Sequence, residues 1–262
     1  MVALQNNAQA RAPVKFLNQT QGNTSLLPTE KSPVVRAIEK QVFTVYGPIK
    51  IGKSTFCSQM EDPLFLATEP GLNALNVFQH NIPSWSEFLK VCLELTKDKS
   101  KERFQNIIID TIDNLYAFCR EDVLGKAGVD HESDLGYGKG WSLVNTEFER
   151  VIKKLCLLGY GVVFISHSKE KEMDSRIGKY AKTVPSLSNS AAQAIMGLSD
   201  LVLLFISEPV KDKKGDMIET SVIKTRPSKF YDAGSRWPLP DDIPLNYSAF
   251  KEAYQNSNKE EA

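Results

Sequence analysis

The eight residues GPIKIGKS, from Gly47 to Ser54, constrain the fold more than any other feature of the chain. They fit the pattern G-x-x-x-x-G-K-[ST]: the glycines let backbone N–H groups surround phosphates, the lysine reaches the terminal phosphate oxygens, and the hydroxyl ligates Mg²⁺. Such a loop joins a strand to a helix, and here the apolar run VFTVY precedes it and a helical pattern over 54–60 follows it. The alternative is a glycine turn with an unrelated lysine. The nucleotide-binding residues that this loop predicts are Gly47, Pro48, Ile49, Lys50, Ile51, Gly52, Lys53, Ser54 and Thr55.

Short apolar runs alternate with amphipathic stretches along the chain, which is typical of an α/β domain. The runs are rich in β-branched or aromatic residues, as suits parallel strands buried on both faces of a sheet. They are VFTVY (42–46), PLFLAT (63–68), NIIID (106–110), GVVFIS (161–166) and DLVLLFIS (200–207). The helical patterns between them cover 54–60, 84–96, 111–125 and 141–158. We therefore expect a mostly parallel, twisted sheet flanked by helices, with right-handed crossovers.

The chain is expected to divide into three regions. Residues 1–40 are rich in Asn, Gln, Thr, Pro and Ser and have no apolar periodicity, which predicts a flexible N-terminal arm. The core is expected over 41–245, and a C-terminal tail over 246–262. Within the core, KDKKGD (211–216) separates two extended segments, which predicts a β-hairpin at the sheet edge.

The composition limits the choice of partners and compartment. Lys plus Arg equals Asp plus Glu at 32 each, so any contact with a nucleic acid has to come from a local patch. The N-terminus lacks the apolar run of a signal peptide, and no apolar stretch approaches the length of a membrane span. The four cysteines are widely spaced, which favours reduced thiols over a zinc site. We expect a cytoplasmic protein that does not contact a membrane.

Two carboxylates complete the chemistry that the loop begins. Asp110 ends the strand NIIID, where a carboxylate can hold Mg²⁺ through water together with the Ser54 hydroxyl. Glu69 ends the strand after the loop's helix, where it can act as the general base that polarises water for attack on the γ-phosphate. The alternatives are an aspartate that merely ends a strand and a glutamate in a simple EPGL turn. A kinase for small molecules needs no such base, so Glu69 favours hydrolysis.

Together these features resemble the RecA-like ATPase core, and most closely its small phage-encoded, single-domain recombinases associated with single-strand annealing. The resemblance rests on the phosphate loop, the glutamate strand, NIIID, and the polar residue after the fourth strand, and it covers about residues 41–245. It implies ATP and Mg²⁺ as cofactors. Where the family commonly has Asp two residues before the glutamate, this chain has Ala67 in FLATE, which leaves Glu69 but removes one carboxylate.

The resemblance also implies three further catalytic residues. His167, directly after the fourth strand, takes the place of the polar side chain that senses the γ-phosphate and relays its presence to a DNA-binding loop. Lys224 and Arg226, two apart in SVIKTRPSKF, match the paired basic residues that reach the γ-phosphate of a neighbouring subunit, with Arg236 in reserve. The alternatives are a surface histidine at a strand end and an ordinary solvated edge strand.

Two irregular stretches are expected where RecA-like proteins hold DNA. The first, 128–141, has Tyr137, Lys139 and Trp141 among glycines, although Trp141 also suits the apolar face of the following helix. The second, 167–188, has five basic residues against three acidic ones. Aromatic rings stack on bases and cations pair with phosphates. The DNA-binding residues predicted are Tyr137, Lys139, Lys169, Arg176, Lys179, Tyr180 and Lys182.

The leading interpretation is an ATP-dependent recombinase that binds single-stranded DNA and promotes annealing or strand exchange. ATP would lie between subunits of a homo-oligomer, either a ring or a filament, and a single-strand-binding protein is a further candidate partner. If the chain is viral, the compartment is the cytoplasm of the host cell. The alternatives are a RecA-core helicase or loader motor, a nucleotide-switched regulatory ATPase without a DNA role, and a small-molecule kinase.

Overall fold

The structure, a computed structural model, describes residues 27–176, 178–211 and 216–257. The chain divides into two units, residues 1–34 and 35–262. The described part of the first unit, 27–34, contains no helix or strand. The predicted arm therefore falls mostly outside the described residues, as do the centre of the predicted 211–216 turn and residues 258–262.

The second unit contains one large sheet. Its strands are β1 (Val42–Gly47), β2 (Pro63–Ala67), β3 (Phe78–Asn81), β4 (Asn106–Asp110), β5 (Gly161–Ser175), β6 (Gly178–Pro185), β7 (Leu201–Lys211), β8 (Met217–Lys224), β9 (Gly234–Ser235) and β10 (Asp242–Pro244). The main path runs in the order β10, β8, β7, β1, β5, β4, β2, β3. The pairs from β7 through to β3 are parallel, whereas β8 and β10 add antiparallel strands at one edge. The expected mostly parallel sheet with a C-terminal hairpin at its edge is confirmed.

Seven helices are described in this unit: α1 (Lys53–Cys57), α2 (Trp85–Glu94), α3 (Asp98–Arg103), α4 (Ile112–Ala127), α5 (Lys139–Cys156), α6 (Asn189–Leu198) and α7 (Tyr247–Ser257). The central strands are apolar on both faces because helices cover both. Ile107 and Ile109 of β4 belong to the core on the side of α2, α4, α5 and α6. Ile108, between them, belongs to the opposite core, beneath α1 and α7, as the alternation of side chains along a strand requires.

The ordered core extends beyond the boundary expected from the sequence. The segment 246–262 is expected to be a tail, yet α7 occupies most of it. Tyr247, Phe250 and Tyr254 recur at helical spacing and are each at most 5% exposed. These rings pack against Phe56 and Trp237, so α7 forms part of the core.

The two strands that flank β1 both continue beyond it. Gly47, the last residue of β1, lies opposite His167 of β5, and Tyr46 lies opposite Leu204 of β7. Past these points β5 pairs with β6, and β7 pairs with β8, as antiparallel hairpins. Both hairpins therefore rise from the carboxyl edge of the sheet, which is also where the phosphate loop lies.

The expectation of an irregular stretch over 167–188 is wrong, because most of it forms the β5–β6 hairpin. Its register runs from Ser168 opposite Pro185 to Ser175 opposite Gly178. Most of these side chains are exposed or half-buried. The hairpin consequently lacks the apolar face by which a half-buried strand is recognised in a sequence.

The other stretch expected to be irregular, 128–141, is also partly ordered. It contains a short 3-10 helix, Glu132–Leu135, and the first residues of α5. Both oxygens of Glu132 accept hydrogen bonds from Arg120 of α4, at 2.6 and 2.8 Å. Tyr116 and Cys119 of α4 contact Asn145 and Val144 of α5 respectively, so the two helices run antiparallel. Because α4 starts at the carboxyl end of β4 and α5 runs down to the start of β5, the connection between them lies on the carboxyl side of the sheet.

Among the described residues, we find no helix long and apolar enough to cross a bilayer.

Candidate active site

The phosphate loop is shaped by two glycines. Gly47 lies so close to β7 that a Cβ at this position would come within 2.4 Å of the Phe205 carbonyl oxygen. Gly52 has φ of 105°, a left-handed conformation that glycine adopts without strain. Within the described part of the chain, the backbone N–H groups of Ile49, Lys50 and Gly52 have no acceptor. These N–H groups are therefore available to an anion, as the motif requires.

Lys53 is the central cation of the loop and is only 6% exposed. Its Nζ donates to the carbonyl oxygens of Gly47 and Pro48, at 2.9 and 2.8 Å. Burial lowers its pKa, and the nearby Asp110, Asp113 and Glu69 carboxylates only partly offset that effect. No carboxylate in the described part of the chain contacts this ammonium directly, and a phosphate at this position would supply that negative partner.

Ser54 and Asp110, the two predicted metal ligands, are in contact. The Ser54 hydroxyl donates to Asp110 Oδ2 at 2.6 Å. Asp110 is 7% exposed, and burial raises its pKa although the hydrogen bond from Ser54 opposes that shift. A cation beside this carboxylate would reverse the burial penalty.

These residues fit a nucleotide with Mg²⁺. The oxygen donors of Ser54 and Asp110 are of the type that Mg²⁺ prefers, and they hold positions that leave room for water ligands. The free loop amides and the ammonium of Lys53 are suited to phosphate oxygens. The helix that follows has only five residues, so the amides of the loop, rather than a helix dipole, provide most of the anion-binding character.

Glu69 follows β2 and has a polar neighbour at each of its two carboxylate oxygens. Asn114 Nδ2 donates to Glu69 Oε2 at 2.9 Å, and His167 Nε2 lies 3.5 Å from Glu69 Oε1. The Glu69 side chain remains 37% exposed, so water can reach it. The preceding residue, Thr68, is fixed by two hydrogen bonds with the backbone of Thr111, at 2.7 and 2.9 Å.

The sequence did not single out the polar residues of the first turn of α4. Asp113 accepts hydrogen bonds from His167 N at 3.0 Å, from the Ser166 hydroxyl at 2.9 Å, and from the Ser186 hydroxyl. Asp113 and Asn114 follow Asp110, the last residue of the metal-site strand, by three and four residues, as IDTIDN shows. That proximity to Asp110 was the available signal, but the partners of both residues are 45 or more positions away in sequence.

A family model described as an AAA domain matches residues 39–237. The chain belongs to this AAA domain family. Membership supports a nucleotide-binding P-loop ATPase, for which Mg²⁺ is the usual companion of the nucleotide.

One curated relative is the SPbeta prophage-derived uncharacterized protein YorG of Bacillus subtilis (strain 168), which is 33% identical over 187 residues. The alignment covers 70% of this chain but 56% of the relative, so the chain spans only about half of that protein's length. The prophage origin in that name belongs to the relative.

The basic residues expected to act on a neighbouring subunit differ in their environments. Lys224 is buried, and its Nζ contacts Glu208 at 2.7 Å and Asp242 at 3.0 Å. Arg226 lies beyond the end of β8, is 63% exposed in its side chain, and pairs with the exposed Asp241 at 2.8 Å. The role of both residues at a subunit interface stays a prediction.

The reserve candidate, Arg236, is held far from the phosphate loop within this AAA domain. It donates to Asp200 at 3.0 Å, and Asp200 also accepts from the backbone N–H of Val42, the first residue of β1. Arg236 therefore lies at the amino edge of the sheet, opposite to the loop.

The predicted DNA-binding residues occupy two projections of the AAA domain on the carboxyl side of the sheet. Tyr137 is fully exposed, and Lys139 begins α5. On the β5–β6 hairpin, Lys169 donates to the carbonyl oxygens of Ser186 and Leu187, at 3.0 and 2.8 Å. Arg176, at the turn, is exposed.

The other three predicted residues of the hairpin have partners in the chain. Lys179 pairs with Glu172 at 2.5 Å, and Lys182 pairs with Asp232 at 2.6 Å. Tyr180 packs edge-on against Phe230, with 6.2 Å between the ring centroids. The loop that carries Phe230 and Asp232 thus braces the hairpin.

Proposed function

We propose that this AAA domain is an ATP-dependent recombinase that binds single-stranded DNA and promotes annealing or strand exchange. The observation that carries the proposal is the position of His167. Its Nε2 is 3.5 Å from Glu69, and its backbone is where β5 leaves the parallel sheet to enter the β5–β6 hairpin. One residue therefore joins the candidate general base to the candidate DNA-binding element.

Each residue of the site has a defined task in hydrolysis. Bound ATP with Mg²⁺ supplies the phosphoryl group that is transferred to water. Lys53 and the loop amides hold the phosphates, while Ser54 and Asp110 provide oxygen ligands for the metal ion. Glu69 accepts the proton of the attacking water, and its contact with His167 makes its position sensitive to the hairpin.

The β5–β6 hairpin offers groups that suit a single strand. Arg176 is exposed at its turn, and the ring of Phe230, which packs edge-on against Tyr180 of β6, is 51% exposed in the bracing loop. Lys229 Nζ lies 4.7 Å from the centroid of the Phe230 ring, so a base could stack where a cation is already close. The exposed Tyr137 provides a second ring on the same side of the sheet.

A subunit interface would complete the ATPase site. Arg226 is exposed, and its partner Asp241 is 72% exposed in its side chain. Because an exposed ion pair contributes little free energy, Arg226 can leave Asp241 for a phosphate of a neighbouring subunit at small cost. A cation supplied by a neighbouring subunit stabilises the charge of the transition state. The proposal therefore includes a homo-oligomer with ATP between subunits.

The test is steady-state ATP hydrolysis with and without a long single-stranded DNA, with Lys53→Ala as the blank. We expect DNA to stimulate the wild type at least several-fold, and a double variant Arg176→Ala/Phe230→Ala to lose most of that stimulation. Arg150→Ala is the matched control, since Arg150 is an exposed arginine on α5 that pairs with Glu147, three residues away on the same helix. Hydrolysis that is indifferent to DNA would contradict the recombinase.

A second candidate is a nucleotide-switched regulatory ATPase without a DNA role. It is favoured by the internal partners of Lys169, Lys179 and Lys182, because a lysine already paired within the chain gains less from a phosphate. This candidate predicts normal hydrolysis without stimulation in the same experiment, together with no retention of the wild type on immobilised single-stranded DNA.

A further inference from the structure

The first turn of α4 lies between the two parts that the proposed function has to connect. β4 sits between β2 and β5 in the sheet, and α4 begins directly after β4. Consecutive residues of a helix point about 100° apart. Asp113 can therefore face the β5 side while Asn114 faces the β2 side, where Glu69 is.

Asn114 controls one oxygen of the Glu69 carboxylate. Its amide donates to Glu69 Oε2 at 2.9 Å, and His167 approaches the other oxygen. A hydrogen bond from a side chain on a rigid helix to one carboxylate oxygen restricts the orientations that the carboxylate can adopt. The helix is rigid here because Ile112 and Leu115, on either side, are both completely buried.

Asp113 accepts hydrogen bonds from both sides of the base of the β5–β6 hairpin. We call Ser166, His167 and Ser186, which donate these bonds, the hairpin root. Ser166 and His167 belong to β5, and Ser186 directly follows β6. The Ser186 N–H also donates to the His167 carbonyl oxygen at 2.8 Å, which closes the root. Any change in the path of the hairpin therefore acts on Asp113.

His167 has a further hydrogen bond left to make. Its Nδ1 is buried and has no partner among the described residues. Buried polar atoms are paired in the great majority of structures, so an arrangement in which Nδ1 finds a hydrogen-bond partner would be favoured. This atom provides a reason for the root of the hairpin to adopt a second arrangement when a nucleotide is bound.

We infer that Asp113 and Asn114 are positioning residues that couple Glu69 to the β5–β6 hairpin through the first turn of α4. Asn114 sets the orientation of the Glu69 carboxylate, and Asp113 transmits the state of the hairpin root to the same helical turn. The inference rests on the proposed function only for the role of Glu69 in hydrolysis. The mechanical link itself does not require that the hairpin's ligand be DNA.

The link is measured by amide hydrogen exchange of peptides within 166–186, with and without the non-hydrolysable analogue AMP-PNP and Mg²⁺. In the wild type we expect the analogue to change exchange at the hairpin root by about tenfold, the scale of one hydrogen bond gained or lost at a local opening. Asn114→Ala and Asp113→Asn should each retain binding of AMP-PNP while losing most of this response.

Matched controls are Asn145→Ala and Asp122→Asn. Asn145 accepts a hydrogen bond from Tyr116 at 2.8 Å, and Asp122 pairs with Lys126 on the outer part of α4, so each control changes the same residue type away from the site. Both should keep the full exchange response. If Asp113→Asn does not fold, Ser186→Ala removes one of the hydrogen bonds that Asp113 accepts and should also weaken the exchange response to AMP-PNP.

Kinetics separate the two positioning roles. Asn114→Ala should lower kcat about tenfold with KM for ATP changed by less than about twofold, because it disturbs a charged hydrogen bond to the base and not the phosphate loop. Asp113→Asn should reduce the ratio of DNA-stimulated to basal hydrolysis. A purely structural role would instead lower the melting temperature and leave this ratio as it is in the wild type.

The inference is overturned if AMP-PNP leaves hairpin exchange unchanged in the wild type, or if both variants keep the full response. Its failure is distinct from failure of the proposed function. If AMP-PNP changes hairpin exchange in the wild type but DNA does not stimulate hydrolysis, the coupling through α4 is supported and the recombinase function is contradicted. If DNA stimulates the wild type but both variants keep the full exchange response to AMP-PNP, the recombinase function is supported and the coupling through α4 is contradicted.

Discussion

Lys53 and Lys224 are buried to a similar extent, at 6% and 7% exposure, but their ammonium groups have opposite kinds of neighbours. Lys53 donates to two backbone carbonyl oxygens and makes no direct contact with any carboxylate of the described residues. Lys224 lies within 3.0 Å of two carboxylates, those of Glu208 and Asp242. One cation lacks a direct negative partner and the other has two.

The pKa values reflect this difference. Burial lowers the pKa of Lys53, and more distant carboxylates do not compensate. Burial also opposes the charge of Lys224, but its hydrogen bonds to Glu208 and Asp242 outweigh that effect and raise its pKa. A buried charge without a partner is a common mark of a binding site, whereas a paired one is a common mark of structure. The contrast teaches that burial of a lysine does not by itself reveal its role.

The largest expected effect is that of Lys53→Met on function. Turnover of ATP should fall by more than about a hundredfold, because the cation that faces the phosphates is removed. The free energy of unfolding should stay the same or increase, since the substitution replaces a poorly solvated charge by an apolar side chain of similar length. ATP turnover and urea unfolding, measured on one preparation of the variant, check both expectations. A clear loss of stability would contradict the claim that the Lys53 charge is poorly compensated in the folded protein.

Lys224→Met should have the reverse profile. The free energy of unfolding should fall by about 2 kcal/mol, because two carboxylates lose their shared partner although they remain partly exposed. Nucleotide affinity should change little. A variant of normal stability with strongly reduced turnover would instead favour the role of Lys224 at a neighbouring subunit's site.

The dependence of these stability differences on pH sharpens the comparison. The penalty from Lys53 is fully present below its lowered folded-state pKa and disappears as pH rises toward the ordinary value of 10.5. The contribution of Lys224 is fully present up to 10.5 and is lost only above that value, as pH passes through its raised pKa. As pH rises from the lowered pKa of Lys53 toward 10.5, the wild type should therefore gain stability relative to Lys53→Met and stay constant relative to Lys224→Met. Urea unfolding across this range is the measurement, and parallel curves for the two variants would contradict it.

The smallest expected effect on stability is that of Arg226→Ala, at less than about 0.5 kcal/mol, because the Arg226–Asp241 pair is exposed. Its effect should appear in turnover. Mixing Arg226→Ala subunits with Glu69→Gln subunits should restore part of the hydrolysis, since an interface then exists that has both an intact base and an intact arginine. The rate across mixing ratios is the readout, and no recovery at any ratio would count against an arginine supplied by a neighbouring subunit.

The sequence was sufficient for those parts of the site that depend on neighbours along the chain. The phosphate loop is read from eight consecutive residues, and Asp110 and Glu69 from their places at the ends of apolar strands. The parallel sheet brings these strand ends to one edge, and there the Ser54 hydroxyl does meet the Asp110 carboxylate. Strand alternation predicts that these strand ends share an edge, whereas the contact itself also depends on the order of the strands in the sheet.

The parts that could not be predicted depend on residues far apart in the chain. Asp113 is bound by Ser166 and Ser186, and no local pattern reveals that β4 and β5 are neighbours in the sheet. Lys224 looks like a free cation in the sequence because its two carboxylates lie 16 and 18 residues away. The β5–β6 hairpin was missed because its strands are mainly polar, and α7 because its apolar spacing lies in a segment that ends in a charged, Asn-rich run.

The most direct test of the contrast between the two lysines is calorimetric titration of ATP with Mg²⁺ into the wild type, Lys53→Met and Lys224→Met. The measurement reports affinity for the ligand independently of turnover. We expect binding to weaken by more than about a hundredfold in Lys53→Met and by less than about threefold in Lys224→Met. Equal losses in the two variants, or wild-type affinity in Lys53→Met, would contradict the assignment of Lys53 as the cation that binds phosphate and of Lys224 as one neutralised within its own chain.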